Sequence, residues 1–133
     1  MLALMRERSV KASPFTSWLN VDLVRCWQGE AEMVIPVRAE ITQHRGTVHG
    51  GVLGIAADNV ACWAAASLIG PLVTSSYTIH FLSPCRGSLV RALGRVVRAG
   101  RRSAVVTAEI FAETASERAL VATATCAVTA IAA

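Results

Sequence analysis

Residues 43–51 read QHRGTVHGG and end in two glycines where a long apolar run begins. Consecutive glycines at the start of a helix leave backbone N–H groups uncovered and pointing outward. The helix dipole adds positive potential there, so Gly50 and Gly51 can form a site for an anion or a developing oxyanion. The alternative is that they only permit a tight turn or close packing. Asp58 is the second chemical signal. It is one of two Asp in the chain and lies inside the apolar run. A buried carboxylate is costly unless it is paired or used; the alternative is an Asp hydrogen-bonded to a neighbouring loop. Asn59 beside it reads as structural. Eight residues separate Gly50 from Asp58, about 12 Å along a helix, further than an Asp side chain reaches. If both serve one reaction, they come from different chains. A two-fold dimer that sets Asp58 of one subunit against Gly50 of the other has two equivalent shared sites.

The elements that must position these groups follow from pattern. Residues 52–68 are Ala-rich and nearly all apolar, with Gly70-Pro71 as a stop, which predicts a helix buried on most sides. Residues 52–73 also have the length of a membrane span, but they hold Gly54, Asp58, Asn59, Ser67, Gly70 and Pro71, and an Asp costs about 2.5–3.5 kcal/mol at a bilayer centre. A globular core helix is the better reading. Before it, Ser13-Pro14 reads as an N-cap and first helical residue of a short helix through Leu19. Residues 21–26 and 30–37 read as strands about a Gln28-Gly29 turn. Residues 1–12 are expected to be frayed or loosely helical. After the helix the period changes to two, and residues 73–82, 88–99, 102–112 and 118–131 read as strands. Short breaks between the last three argue an antiparallel meander. A single helix this apolar needs a sheet wrapped around it.

Composition bounds the rest. The 133 residues make one domain, 1–133, and 53% hydrophobic residues exclude disorder. Only 17% are charged, so some apolar surface is expected to be hidden by self-association. Thirteen Lys and Arg against nine Asp and Glu give +4, and aromatics are 5%. That excess favours an anionic ligand, but it is too small, with too few aromatics, for nucleic acid. Cys26, Cys62, Cys85 and Cys126 have no zinc-knuckle or redox spacing and read as reduced core residues of a cytoplasmic protein. The N-terminus places apolar residues before charges, the reverse of a secretory signal. His44, His49 and His80 have no ligand spacing, so no metal is expected, and no Gly-x-Ser-x-Gly elbow is present.

Residues 46–58, GTVHGGVLGIAAD, resemble the HGG…D signature of hotdog-fold acyl-CoA thioesterases, closest to the phenylacetate-degradation and 4-hydroxybenzoyl-CoA branch. The likeness extends over about residues 14–131 in order of elements and includes VTSSYTIHFLSPCRG at 73–87. It implies an α+β hotdog domain: an antiparallel sheet of five or six strands curled around the central helix, in a homodimer and then a dimer of dimers. By the same resemblance, Gly50 N–H and the Gln43 side-chain amide polarise a thioester carbonyl. Asp58 attacks the thioester or activates water, and Ser76 matches a hydroxyl that positions water in some relatives. Where one branch has Thr four residues after the carboxylate, this chain has Cys62. His49 is implied to hold the loop at the helix start and, with Gly51, to line the substrate site. Arg91, Arg95, Arg98, Arg101 and Arg102 cluster. They read as a solvated strand face and turn, or as a rim for coenzyme A phosphates. Arg101 and Arg102 are the candidates for that rim, Arg86 a weaker one.

The expected activity is hydrolysis of an acyl- or aryl-CoA thioester, with no cofactor. Two rivals are a hotdog hydratase or dehydratase and a non-catalytic acyl-CoA-binding oligomer.

Overall fold

A computed structural model describes residues 1–131. Its central element is helix α3, Gly50–Ile69, and its sheet holds six antiparallel strands: β1 (Asp22–Trp27), β2 (Glu30–Pro36), β3 (Leu72–Phe81), β4 (Leu89–Ala99), β5 (Ser103–Glu113) and β6 (Arg118–Ala130). The strand order is β1-β2-β4-β5-β6-β3. The predicted meander is present as β4-β5-β6, and β3 closes one edge by pairing with β6. This is the hotdog fold, with six strands. The predicted boundaries hold to within about two residues at either end.

Each element has a local cause. At the β1–β2 hairpin, Gln28 (φ 49°) and Gly29 (φ 81°) both take the left-handed conformation. That gives the turn whose twist matches antiparallel strands, and Gly29 N–H donates to Ser67 Oγ at 2.8 Å, tying the hairpin to the end of α3. Helix α3 ends at Gly70 (φ 78°), whose N–H reaches the Ala66 carbonyl, and Pro71 follows. The helix is long and apolar enough to cross a bilayer, yet it lies against the sheet with Ala56, Ala57, Val60, Ala61, Ala64 and Ala65 buried. Small side chains let the backbones approach. At Gly94 on β4 a Cβ would stand 2.8 Å from the Val60 carbonyl oxygen. Register shifts in β1, β3, β4 and at the β5–β6 pairing bend the sheet around the rod.

Of the two expectations for residues 1–12, frayed or loosely helical, the structure shows helix. Helix α1 (Leu2–Met5) runs into a π-helical turn, Arg6–Val10. Val10 is buried, Arg6 Nε donates to the Leu23 carbonyl, and Trp63 Nε1 donates to Ser9 Oγ at 2.8 Å. Helix α2, Pro14–Trp18, starts at Ser13 as predicted, although the Ser13 side chain makes no capping bond. Asn59 Nδ2 points to Thr16 Oγ1, the structural role its position suggested.

Candidate active site

The first turn of α3 uses all but one of its leading amides. His49 is the N-cap, and its Nδ1 accepts the Gly51 N–H at 2.8 Å. The Val52 and Leu53 N–H groups reach the His49 carbonyl at 2.9 and 3.4 Å. Among the described residues the Gly50 N–H has no acceptor. Gly50 lines a cavity of about 350 Å³ together with Gln43, Val48, Leu53, Phe81 and Cys85, among others. Gln43 is brought there by a small hairpin in which its own N–H donates to the Thr47 carbonyl and Val48 N–H to the Cys85 carbonyl. Its side-chain oxygen accepts the Arg45 N–H, which leaves the amide nitrogen to donate elsewhere. Gly50 and Gln43 therefore bring two available donors to the lining of one opening. The Gly51 amide is spent on the cap, so Gly51 contributes shape rather than a hydrogen bond. His49, with Nδ1 as acceptor, is a loop clamp and not a free base.

Asp58 lies two turns along α3 and is half-buried. Its Oδ1 accepts from the Thr74 hydroxyl on β3 and from the Cys62 thiol at 3.6 Å. Cys62 Sγ also lies 3.0 Å from Thr74 Oγ1. Burial pushes the Cys62 thiol up to about 11, and the nearby Asp58 charge adds to the rise against the Thr74 bond, which lowers it. The thiol therefore stays protonated and acts as a donor, not a nucleophile. Asp58 Oδ2 accepts nothing from the described residues, and none of their buried side-chain polar atoms lacks a partner; Oδ2 thus keeps contact with solvent. One carboxylate oxygen is fixed and the other is open.

Thr74 is the functional candidate that sequence reasoning missed. The run Thr74-Ser75-Ser76 offers three hydroxyls, and the register decides among them. Pairing slips between Thr74 and Ser76, opposite Val128 and Ala127. Beyond the slip, the Tyr77 ring meets Gly54 and the Phe81 ring meets Gly50. Alternation then places Ser76, Thr78 and His80 on the outer face, away from α3. Ser76 is exposed and is not brought to Asp58 in the same chain; Thr74 takes that place and supplies the hydroxyl that Cys62 lacks. His44 is exposed in its loop, and no group of three His, Cys, Asp or Glu that could hold a metal occurs among the described residues.

The arginine cluster divides. Arg91 is bound by Glu113 (2.7 Å) and Glu32, and Arg95 pairs with Glu30 at 3.1 Å. These bridge strands and hold the sheet together. Arg101 and Arg102 are exposed in the β4–β5 turn with no acidic partner among the described residues. The register chain Ala104–Val128–Thr74 puts this turn at the Asp58 end of the sheet. Arg86 follows Cys85 at the Gly50 end.

Residues 45–119 match the thioesterase superfamily. The chain is 31% identical over 102 residues to the "Putative esterase" of Saccharolobus solfataricus, covering 75% of this chain and 71% of that protein. A thioesterase family protein from Silicibacter pomeroyi superposes with a TM-score of 0.94 at 26% identity over 100% of both chains. A mutant of the phenylacetic acid degradation protein PaaI from Thermus thermophilus superposes at 0.79 with 31% identity over 90% of this chain and 100% of that one. A free amide at the helix tip, a carboxylate two turns on and these likenesses agree, and the chain belongs to the hotdog thioesterase superfamily.

Proposed function

We propose that the protein hydrolyses acyl- or aryl-CoA thioesters to the free acid and coenzyme A, in a two-fold dimer whose two sites are each built from both subunits. The observation that carries this reading is a pair of unspent groups. Among the described residues Gly50 N–H has no acceptor, and Asp58 Oδ2 has no donor while Oδ1 is held by Thr74. They lie about 12 Å apart along one helix, too far to act on one carbonyl but suited to face their counterparts across an axis. Edge strand β3 supports that axis. It is ten residues long and exposes Val73, Tyr77 and Phe81, and among the described residues it pairs with β6 alone, so its other edge invites another strand. Antiparallel pairing of β3 with its copy about Tyr77–Thr78 sets the Thr74 end of one subunit against the Phe81 end of the other. Asp58 then meets the partner's Gly50 and Gln43.

In such a site the thioester carbonyl oxygen accepts from Gly50 N–H and the Gln43 amide. Each donor lowers the barrier by roughly 3–4 kcal/mol as negative charge builds on that oxygen. Asp58 Oδ2 has two routes. It attacks the carbonyl carbon, expels the thiolate of coenzyme A and leaves an anhydride that water cleaves. Or it removes a proton from water, which attacks in its place. Thr74 and Cys62 orient the carboxylate in both. Arg101 and Arg102 are offered to the coenzyme phosphates. Four free thiols support a reducing, cytoplasmic setting.

The test is thiol release from a panel of acyl- and aryl-CoA esters, with Asp58→Asn alongside. Release by the wild type and a strong loss in a folded Asp58→Asn protein are expected; wild-type rates in that variant remove Asp58 from the mechanism. A hydratase would instead change double-bond absorbance. It would need a histidine beside the carboxylate, whereas His49 is committed to the cap and His80 faces the outer side. Binding of coenzyme A esters without thiol release would identify a carrier. In single-turnover hydrolysis in ¹⁸O-water, label in the Asp58 side chain marks the anhydride route, since water that attacks the substrate directly leaves the side chain unlabelled.

A further inference from the structure

A second hollow near the candidate site is larger and more apolar than the one at Gly50. It lies between the N-terminal helical segment and the second half of α3. It has a volume of about 490 Å³, with Leu4, Met5 and Arg8 on one wall and Cys62, Trp63 and Ala66 on the other. Cys62 links it to the candidate site, because it lines the hollow and its Sγ is 3.6 Å from Asp58 Oδ1. The hollow thus borders a residue that contacts Asp58, within reach of the acyl group of a thioester held at that carboxylate. The wall is anchored, with Trp63 Nε1 bonded to Ser9 Oγ at 2.8 Å and Arg6 bonded to the Leu23 carbonyl. Its lining is thioether, leucine, indole and methyl. The indole N–H and the Ser9 oxygen already satisfy each other, and Arg8 is exposed at the rim.

We infer that this hollow holds the acyl group, and that it selects an unsubstituted hydrocarbon chain by buried area rather than by hydrogen bonds. The inference rests on the thioesterase reading and assigns to the N-terminal segment a specificity-determining role. Flexible Met and Leu side chains adapt to length, and each methylene removed from water gains about fourfold in kcat/KM. The cavity falls within the range of small-ligand pockets.

The experiment measures kcat/KM by thiol release for saturated esters from acetyl- to octanoyl-CoA, with an ω-carboxy ester of matched length. The proteins are wild type, Ala66→Phe, which fills the hollow from α3, and Leu4→Asp, which places a charge in the opposite wall at a half-exposed position. The wild type should climb about fourfold per methylene until the hollow is full. Ala66→Phe should flatten the climb, and Leu4→Asp should cut the octanoyl-to-acetyl ratio by about tenfold or more. Thermal melts confirm that both variants fold. An unchanged chain-length profile in folded variants overturns the pocket assignment and leaves hydrolysis standing, as does preference for the ω-carboxy ester. No thiol release from any ester by the wild type overturns the hydrolytic reading and this inference with it.

Discussion

Gly50→Pro isolates the proposed oxyanion donor with little other disturbance. Gly50 is the first residue of α3, a position where proline is favoured because its missing N–H leaves no intrahelical bond unmade. The preceding residue must be extended, and His49 already sits at φ −61°, ψ 135°. The variant thus deletes one N–H and keeps the helix. Loss of one oxyanion donor corresponds to about 2.7–4 kcal/mol, or roughly 10²–10³ in kcat, with KM and melting temperature close to wild type. Gly50→Ala is the control. It keeps the N–H, and its Cβ would meet the half-exposed Phe81 ring at 3.4 Å, which can give way. Steady-state thiol release separates the two. Mixing Gly50→Pro with Asp58→Asn subunits then tests the shared site. Random re-pairing makes about half of the dimers mixed, and each mixed dimer holds one intact and one doubly defective site. Activity should return to about a quarter of wild type. Wild-type kcat in folded Gly50→Pro, or equal losses in Gly50→Pro and Gly50→Ala, would refute the role of the amide. Mixtures that stay inactive despite subunit exchange would refute the two-chain site.

Three other outcomes follow. Thr74→Val removes the hydroxyl that holds Asp58 Oδ1; a hydrogen bond to a charged group contributes about 1.5–3 kcal/mol, so kcat should fall by tenfold or more while Ser76→Ala stays near wild type. Gly94→Ala would press a Cβ to 2.8 Å from the Val60 carbonyl; overpacking costs about 1–3 kcal/mol, seen as a drop of several degrees in melting temperature. The Arg91 hydrogen bonds hold the Glu113 carboxyl below its ordinary 4.5. A depressed folded-state value stabilises the fold above the unfolded value and is lost as pH falls through the folded one. Urea midpoints should therefore decline below about pH 4.5, less steeply in Arg91→Met, and an equal slope in that variant would sink the argument.

The hydrophobic period and the turn residues determined much of this protein. A twenty-residue apolar rod, strands that alternate on either side of it, and Gln28-Gly29 at a hairpin leave one economical packing, a sheet around a helix. The candidate pair stood out for the same reason. Bare glycines at a helix start and a carboxylate in an apolar run are local exceptions to patterns that otherwise hold, and their spacing along a helix is fixed by its rise. What the sequence could not decide was which of several adjacent hydroxyls meets that carboxylate. Side chains alternate across a strand, so the one-residue slip after Thr74 sends Ser76 to the outer face and leaves Thr74 on Asp58. The arginines were likewise ambiguous until register set Glu32 and Glu113 on either side of Arg91. The N-terminal segment became a wall only through Trp63, far along the chain from Ser9. Local pattern fixes which face a residue prefers, but contacts between distant segments depend on register and packing, and only the folded chain supplies those.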